Sequence, residues 1–206
     1  MLETKNLRFK YDNNLELNFP NIKTSKENLL ILGASGVGKT TFLHLLSGLL
    51  KPMDGEIDLL GTKISRLKMS EMDRFRGKNI GIVFQKPHFI NSLTVKENLQ
   101  LAQYISKKSD KNRVQSLLES LGIEDKANKK TQNLSQGEKQ RVSIALAIVN
   151  SPKLILADEP TSSLDDLNCD KVINILKNQA SKYKAKLIII THDYRLKKHF
   201  KNTLSL

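Results

Sequence analysis

One segment near the start of the chain, residues 33–40, limits its possible folds more than any other feature. It reads G-A-S-G-V-G-K-T, which fits the pattern G-x-x-x-x-G-K-[S/T]. A short apolar stretch over residues 28–32 precedes it, and a helical pattern over residues 39–50 follows it. A glycine-rich turn between a strand and a helix is the context in which this pattern binds phosphate. The segment therefore predicts a strand–loop–helix unit that binds a nucleotide.

The backbone of this phosphate loop and two of its side chains carry the expected chemistry. Glycines allow a tight turn that aims backbone amides inward, and the N-terminus of the following helix adds partial positive charge. Lys39 is expected to reach the β and γ phosphates of ATP, and the Thr40 hydroxyl to ligate Mg²⁺. The expected nucleotide-binding residues of the loop are Gly33, Ala34, Ser35, Gly36, Val37, Gly38, Lys39, Thr40 and Thr41.

The composition is that of an ordinary globular protein. The chain has 206 residues, enough for one domain with a full core and a small inserted lobe. The single cysteine, Cys169, allows no internal disulfide, which favours a reducing cytoplasm. The N-terminus lacks the apolar core of a secretion signal, and no apolar run approaches the roughly 20 residues that span a bilayer. If the protein works at a membrane, other chains are expected to supply the span.

The net charge of +13 has three competing explanations: a nucleic-acid surface, an anionic membrane surface, or a lysine-rich background composition. The lysines are spread along the chain and do not form one stripe interleaved with aromatic residues. This distribution favours background composition, because charge alone informs solubility and non-specific binding rather than fold.

Strand-like and helix-like segments alternate at both ends of the chain, which implies a mostly parallel sheet with helices on its faces. The strand-like segments cover residues 7–11, 15–19, 28–32, 80–84, 154–157 and 187–190. Helices are expected over residues 111–121, 135–150 and 166–182, with a short helix after Asp193. The block over residues 86–133 has no strand pattern, so we interpret it as an inserted helical lobe.

An acidic pair, Asp158 and Glu159, follows the apolar strand over residues 154–157. Alone, such a pair is usually the solvated start of a loop. Beside a phosphate loop, Asp158 is expected to hold the Mg²⁺ shell, and Glu159 to orient or deprotonate an attacking water. The phosphate loop by itself would also fit a kinase, a GTPase or a helicase, so other motifs have to decide the class.

The segment L-S-Q-G-E over residues 134–138 resembles the signature motif of ATP-binding cassette proteins. In physical terms it is a capped helix N-terminus, in which Ser135 and Glu138 form a capping box and the helix dipole favours an anion. A similar capping box joins Thr94 and Glu97. In the family, the signature contacts the γ-phosphate bound to the other subunit. The resemblance thus implies that Ser135, Gly137 and Glu138 bind nucleotide across a dimer.

The remaining motifs of that family occur in order along the chain. Gln85 resembles the Q-loop glutamine, which in the family touches Mg²⁺ and senses the membrane partner. The segment over residues 163–165 resembles the D-loop, which places Asp165 at the dimer interface. His192, in T-H-D, resembles the switch histidine at the γ-phosphate. Tyr11 resembles the aromatic residue that stacks on adenine, although Phe9 lies close by and either side chain suits a core.

The resemblance covers essentially the whole chain and implies an α/β fold. Its parts would be a P-loop NTPase (RecA-like) core from residues 1–85 and 151–206, an N-terminal antiparallel β part, and a helical subdomain over residues 86–150. It implies an ATPase that uses Mg²⁺, a second ATP-binding subunit in a head-to-tail dimer, and an integral membrane permease. The implied location is the cytoplasm, on the inner face of the membrane, with no specific nucleic acid.

Within the family, residues 68–85 and 159–165 look most like the lipoprotein-release, macrolide-export and cell-division group. Two positions depart from the family pattern: Gln136 stands where glycine is commoner, and Leu146 where arginine is usual. The chain has little after residue 190, which argues against a C-terminal regulatory domain. Two alternatives stay open: ATP-driven force transmission without transport, and a nucleic-acid ATPase. The latter is disfavoured because no long coiled coil and no second cassette are present.

Overall fold

The computed structural model describes residues 2–11, 15–24, 27–108, 110–162 and 164–206. The strands are β1 (Leu2–Lys10), β2 (Glu16–Asn18), β3 (Ile22–Thr24), β4 (Leu29–Leu32), β5 (Asp54–Leu59), β6 (Thr62–Lys63), β7 (Ile80–Val83), β8 (Leu154–Asp158), β9 (Lys186–Thr191) and β10 (Asn202–Ser205). The α-helices are α1 (Lys39–Leu46), α2 (Met69–Asn79), α3 (Val95–Ile105), α4 (Lys111–Ser120), α5 (Gln136–Ile148) and α6 (Asp166–Lys182). Short 3-10 helices cover Ile64–Arg66, Glu124–Lys126, Thr131–Asn133 and Tyr194–His199.

The central sheet has five strands in the order β10-β4-β9-β8-β7, and all neighbours are parallel. Strands β4, β8 and β9 are buried along their whole length, as expected for a parallel sheet covered on both faces. The carboxyl ends of parallel strands meet at one edge, where ligands bind in folds of this kind. Gly33, Glu159 and His192 directly follow β4, β8 and β9, so the topology brings them to that edge.

A second sheet contains the antiparallel strands β2-β1-β5-β6, with β3 also paired to β1. Its inner face packs with α1 in one buried apolar cluster that includes Leu7, Phe19, Phe42 and Ile57. The rings of Phe19 and Phe42 stack with centroids 4.9 Å apart. The predicted α/β class, with a parallel sheet and an antiparallel N-terminal part, is therefore confirmed.

Several predicted boundaries were wrong. The first strand covers Leu2–Lys10 rather than residues 7–11, so Tyr11 lies just beyond it. The short helix expected after Asp193 is present as a 3-10 helix, Tyr194–His199, but the edge strand β10 that follows it was not predicted. Strand β10 has the mostly polar sequence N-T-L-S, and its residues alternate between partly and fully exposed. A search for apolar runs therefore does not detect this strand.

Between β7 and β8, the described residues form helices and one isolated bridge, Thr94 to Lys130, rather than a strand. Both predicted capping boxes are present. The backbone amide of Thr94 donates to Glu97 Oε2 at 2.7 Å, and that of Ser135 donates to Glu138 Oε2 at 2.7 Å. Side chains of α3, α4 and α5 share one buried cluster with the parallel sheet. In the described part of the chain, no helix is long and apolar enough to cross a membrane.

A close backbone approach at Gly81 fixes the distance between β7 and α5. A Cβ placed on Gly81 would lie 2.0 Å from the carbonyl oxygen of Ala147. We therefore expect Gly81→Ala to lower the free energy of unfolding by about 3 kcal/mol, because backbone rather than a flexible side chain has to move. Urea unfolding monitored by circular dichroism measures this change.

Gly77→Ala is the matched control for Gly81→Ala. Gly77 lies within α2, and its added Cβ would come no closer than 4.0 Å to the Cβ of Ser106. Alanine is the better helix former by about 0.5–1 kcal/mol, so this variant should be at least as stable as the parent. Equal stability of the two alanine variants would contradict the role assigned to the approach at Gly81.

Candidate active site

The phosphate loop begins where β4 ends and closes onto the first turn of α1. Gly36 and Gly38 have φ values of 84° and 97°, a left-handed conformation that glycine adopts without strain. Gly38 is also the N-cap of α1, so the backbone amides of the first helical turn point into the loop. The amide of Gly33 donates to the carbonyl of Thr191 at 3.2 Å, which fastens the loop to the end of β9. This geometry suits an anion at the helix N-terminus.

Lys39 is 8% exposed, and its amine is held by three oxygen atoms. Nζ donates to the carbonyls of Gly33 at 3.0 Å and Ala34 at 2.8 Å, and it lies 3.3 Å from Glu159 Oε1. The buried cation therefore joins the loop after β4 to the carboxylate after β8. This places a fixed positive charge inside the curve of the loop.

Asp158 occupies the buried end of β8, and Thr40 of α1 faces it. The Thr40 hydroxyl donates to Asp158 Oδ2 at 2.9 Å. Burial raises the pKa of the Asp158 carboxyl. Its Oδ1 is buried without a hydrogen-bond partner in the described part of the chain. A hard cation would satisfy that oxygen, so the pair fits Mg²⁺, which is commonly bound by one or two protein ligands plus phosphate oxygens.

Glu159 is the most constrained side chain of the site. Its backbone has φ 47°, an uncommon value for a residue other than glycine. Its carboxylate accepts hydrogen bonds from the Thr191 hydroxyl at 2.7 Å and the His192 amide at 3.2 Å, and His192 Nδ1 lies 2.8 Å from Oε1. Burial alone would raise its pKa, but the hydrogen bonds from His192 and Thr191 together hold the pKa below its ordinary value. The group is therefore an anion at neutral pH and suits a water-orienting base.

One cavity of about 300 Å³ joins the loop to the carboxyl ends of the strands. Its lining consists of Ser35, Gly36, Gly38, Lys39, Thr40, Thr41, Gln85, Glu159 and His192. Gln85, which follows β7, thus lies at the same site as the loop. The Tyr11 hydroxyl is 2.6 Å from the Thr41 hydroxyl oxygen, and its ring meets Phe9 edge-on at 4.8 Å. Tyr11 is thereby anchored beside the loop, with 37% of its surface exposed.

Other candidate residues lie away from this cavity in the same chain. Ser135 and Gly137 are exposed at the N-terminus of α5. The Glu138 carboxylate closes the capping box and pairs with Lys126 at 3.2 Å, and the hydrogen bonds from Ser135 lower its pKa to about 2. Asp165 caps α6 by accepting a hydrogen bond from the Asn168 amide at 2.8 Å. Ser163 of the expected D-loop lies outside the described residues.

The contribution of Thr191 was missed in the sequence, although it stands in the same T-H-D motif as His192. Its hydroxyl is fully buried, donates to Glu159 and accepts from the Asp193 amide at 3.0 Å. A hydrogen bond to a charged group contributes about 1.5–3 kcal/mol, so this threonine is a strong constraint on the carboxylate. Its position directly after an apolar strand was the available signal.

Thr191→Val is expected to move the acid limb of the pH–rate profile to higher pH. The Thr191 hydroxyl lowers the pKa of Glu159, so its removal raises that pKa and the carboxylate is protonated at a higher pH than in the parent. Steady-state ATPase assays from about pH 3 to pH 7, which include the acid limb of a carboxylate with a lowered pKa, measure the shift. Thr191→Ser keeps the hydroxyl and should retain the parent profile, and an unshifted acid limb in Thr191→Val would refute the assignment.

Comparison with known proteins supports the resemblance to ATP-binding cassette proteins that was found in the sequence. The model of the ABC transporter family matches residues 17–162. The chain is 40% identical over 166 residues to "Lipoprotein-releasing system ATP-binding protein LolD" of Buchnera aphidicola subsp. Acyrthosiphon pisum (strain APS), covering 79% of this chain and 73% of that protein. It is 36% identical over 197 residues to the protein of the same name from Wigglesworthia glossinidia brevipalpis, covering 94% and 84%.

Solved structures agree with these sequence relatives. A dimeric structure of the post-hydrolysis state of the ATP-binding cassette MJ0796, bound to ADP and Pi, superposes with a TM-score of 0.90 at 30% identity, covering 100% of this chain and 94% of that one. The cbiO1 protein from Clostridium perfringens, part of the ABC transporter complex cbiONQ, superposes with a TM-score of 0.86 at 29% identity, covering 99% and 83%. The resemblance to the lipoprotein-release group is thus confirmed, and the chain belongs to the ABC transporter family as an ATP-binding, ATP-hydrolysing subunit similar to LolD.

Proposed function

We propose that this cassette closes head to tail with a second ATP-binding subunit around ATP, and that closure moves a separate transmembrane partner. The exposed N-terminus of α5 is the observation that carries the proposal. Ser135 and Gly137 present the positive end of a capped helix to solvent, away from the phosphate loop of the same chain. A second subunit rotated by a two-fold axis would bring this helix end to the γ-phosphate. The dimeric MJ0796 structure with ADP and Pi supports this arrangement.

Each composite site would then divide the work among named groups. The amides of the phosphate loop and Lys39 hold the phosphate chain, and Tyr11 stacks on adenine. Thr40, Asp158 and Gln85 hold Mg²⁺, which neutralises charge on the phosphate oxygens when bound. The unpartnered Oδ1 of Asp158 supports that ligand set.

Hydrolysis is an in-line displacement at the γ-phosphorus. A bond forms from the water oxygen to phosphorus, the bond to the β–γ bridging oxygen breaks, and the proton of the water leaves toward Glu159 or a phosphate oxygen. His192 Nδ1 lies 2.8 Å from Glu159 Oε1, and the other ring nitrogen is left to contact a γ-phosphate oxygen. The protein contributes positioning and charge stabilisation.

The membrane partner is expected to dock near residues 85–101, a segment that begins at Gln85 and includes the start of α3. Movement of this segment would connect nucleotide state to the partner, because Gln85 itself lines the nucleotide cavity. This arrangement places the cassette in the cytoplasm, on the inner face of the membrane. Co-purification with a membrane protein encoded next to this chain tests the partnership.

Gly137→Arg is the experiment that tests the composite site. Gly137 lies in the exposed first turn of α5, and an added Cβ would meet no atom within 4 Å, so the monomer should fold and bind ATP normally. At a dimer interface the same arginine would block the γ-phosphate pocket of the other subunit. In the Glu159→Gln background, we expect the ATP-dependent dimerisation measured by light scattering to be lost. In the parent background, we expect the turnover measured by phosphate release to fall by roughly 100-fold.

The matched control is Gly77→Arg, which places the same side chain on an exposed helical glycine of α2. It should retain parental turnover, and in the Glu159→Gln background it should still dimerise with ATP. Undiminished turnover in Gly137→Arg would exclude a site completed by the second subunit.

A further inference from the structure

Asp193, directly after His192, has a buried carboxylate that pairs with several hydrogen-bond donors. It is 8% exposed and accepts a hydrogen bond from the Thr161 hydroxyl at 2.9 Å. Arg195 donates two hydrogen bonds to the same carboxylate: Nε lies 2.8 Å from Oδ1, and Nη2 lies 2.8 Å from Oδ2. Such a two-donor pair fixes direction as well as distance. The Asp193 carboxylate therefore holds the guanidinium of Arg195 in one orientation.

The other side of the Arg195 guanidinium reaches the segment that leads into α6. Its Nη2 donates to the carbonyl of Leu164 at 3.2 Å, and its Nη1 pairs with the Asp166 carboxylate. Asp165 lies between these two contacts and caps α6. One side chain thus connects the backbone that carries His192 to the backbone that carries Asp165.

The contacts of Arg195 differ in strength. The Asp166 side chain is 83% exposed, so its ion pair with Arg195 contributes little. The Asp193 side chain is 7% exposed, and a buried carboxylate that loses its partner is costly. Arg195 lowers the pKa of Asp193 to about 2, so the carboxylate stays ionised near neutral pH. The guanidinium is therefore held mainly at Asp193, and its hydrogen bond to the carbonyl of Leu164 connects it to the segment that leads into α6.

We infer that Arg195 is a positioning residue that couples His192 to the segment of residues 164–166. The inference rests on the proposed function, in which Asp165 lies at the dimer interface and His192 at the γ-phosphate. A shift of residues 164–166 on dimer closure then displaces the guanidinium, the Asp193 backbone and the adjacent His192. Arg195 transmits the presence of the second subunit to the switch histidine.

A purely structural role for Arg195 would only tie the 3-10 helix Tyr194–His199 to α6. The chain contains a second ionic link between the same two elements, which serves as a matched control. Asp170 of α6 accepts from Lys198 Nζ at 3.1 Å and lies 2.9 Å from His199 Nε2. Asp170→Asn weakens that link without touching residues 164–166 or Asp193.

The test compares Arg195→Gln, Arg195→Lys and Asp170→Asn in the full chain, each in the parent and in the Glu159→Gln background. Urea midpoints report folding, ATP titration of the monomer reports nucleotide affinity, and sedimentation with ATP reports the dimer dissociation constant. For Arg195→Gln we expect a dimer constant raised about tenfold, equivalent to about 1.4 kcal/mol, a lower kcat and an unchanged monomer affinity. Arg195→Lys should restore the dimer dissociation constant and kcat only in part, since an ammonium cannot form the two-donor pair with Asp193.

Two outcomes separate this inference from the proposed function. If the Glu159→Gln parent dimerises with ATP and Arg195→Gln behaves like Asp170→Asn, the inference is overturned and the proposed function stands. If the Glu159→Gln protein does not dimerise with ATP, the proposed function fails. In that case, kcat values of the Arg195 variants equal to that of the unsubstituted protein overturn the inference as well. Should Arg195→Gln not fold, Arg195→Lys decides: a dimer constant and kcat equal to those of Asp170→Asn overturn the coupling.

Discussion

Replacing Glu159 by glutamine is expected to reduce ATP turnover by roughly 100-fold or more, while ATP still binds and holds two cassettes together. Glutamine keeps an oxygen that can accept from Thr191 and the His192 amide, so the backbone at this strained position should be preserved. It lacks the anionic charge that orients and deprotonates a water. Phosphate release measures turnover, and size-exclusion chromatography with ATP detects the trapped dimer.

Glu56→Gln is the control for the Glu159 substitution. Glu56 is a partly exposed residue of β5 that pairs with Lys63 at 2.9 Å and does not line the nucleotide cavity. This variant should retain parental turnover and should not accumulate a dimer. Normal turnover in Glu159→Gln would remove Glu159 from its proposed role and leave the water without an assigned base.

Lys39→Ala is expected to produce the second large effect, on ATP binding as well as on hydrolysis. The buried amine of Lys39 is the cation held inside the phosphate loop, and its removal leaves phosphate charge uncompensated. A charged hydrogen bond of this kind contributes about 1.5–3 kcal/mol, so the dissociation constant for ATP should rise by roughly 10- to 100-fold. Isothermal titration calorimetry measures that constant directly.

The same substitution tests how Lys39 supports Glu159. Loss of the amine 3.3 Å from Glu159 Oε1 takes one counter-charge from a buried carboxylate, so the free energy of unfolding should also fall. Lys51→Ala, in the exposed segment after α1, is the control and should change neither property. An unchanged ATP affinity in Lys39→Ala would mean that the loop amides alone hold the phosphates.

Features that depend on neighbours in sequence were predictable from the residues. The phosphate loop lies between β4 and α1 as expected, and the capping boxes at Thr94 and Ser135 are formed by residues three positions apart. Buried parallel strands such as β8 are continuous apolar runs, so they stand out from the pattern. The weaker strands β5, β6 and β10 and the helix α2 were not predicted, because their exposed or mixed patterns resemble loops.

Some residues of the candidate site were predictable from the sequence, and others were not. Asp158, Glu159 and His192 were selected from motifs at strand ends, and the parallel order of β4, β9 and β8 explains why they meet the phosphate loop. Their catalytic roles stay predictions that the substitutions above test. The Thr191 hydroxyl on Glu159 and the approach of Gly81 to Ala147 could not be inferred, since each depends on backbone positions set by packing.

The amino-acid sequence alone specifies the phosphate loop, because Gly36 and Gly38 take left-handed conformations and Lys39 opens a helix within a single local turn. It also indicated the family, through motifs whose residues lie next to one another along the chain. The contacts between groups that are far apart in the chain depend instead on the packing of the folded protein. Arg195, which pairs with Asp193, also contacts Leu164, 31 positions earlier in the chain, because the end of β9 and the start of α6 are packed side by side. Such a contact depends on sheet order and leaves no local pattern in the sequence.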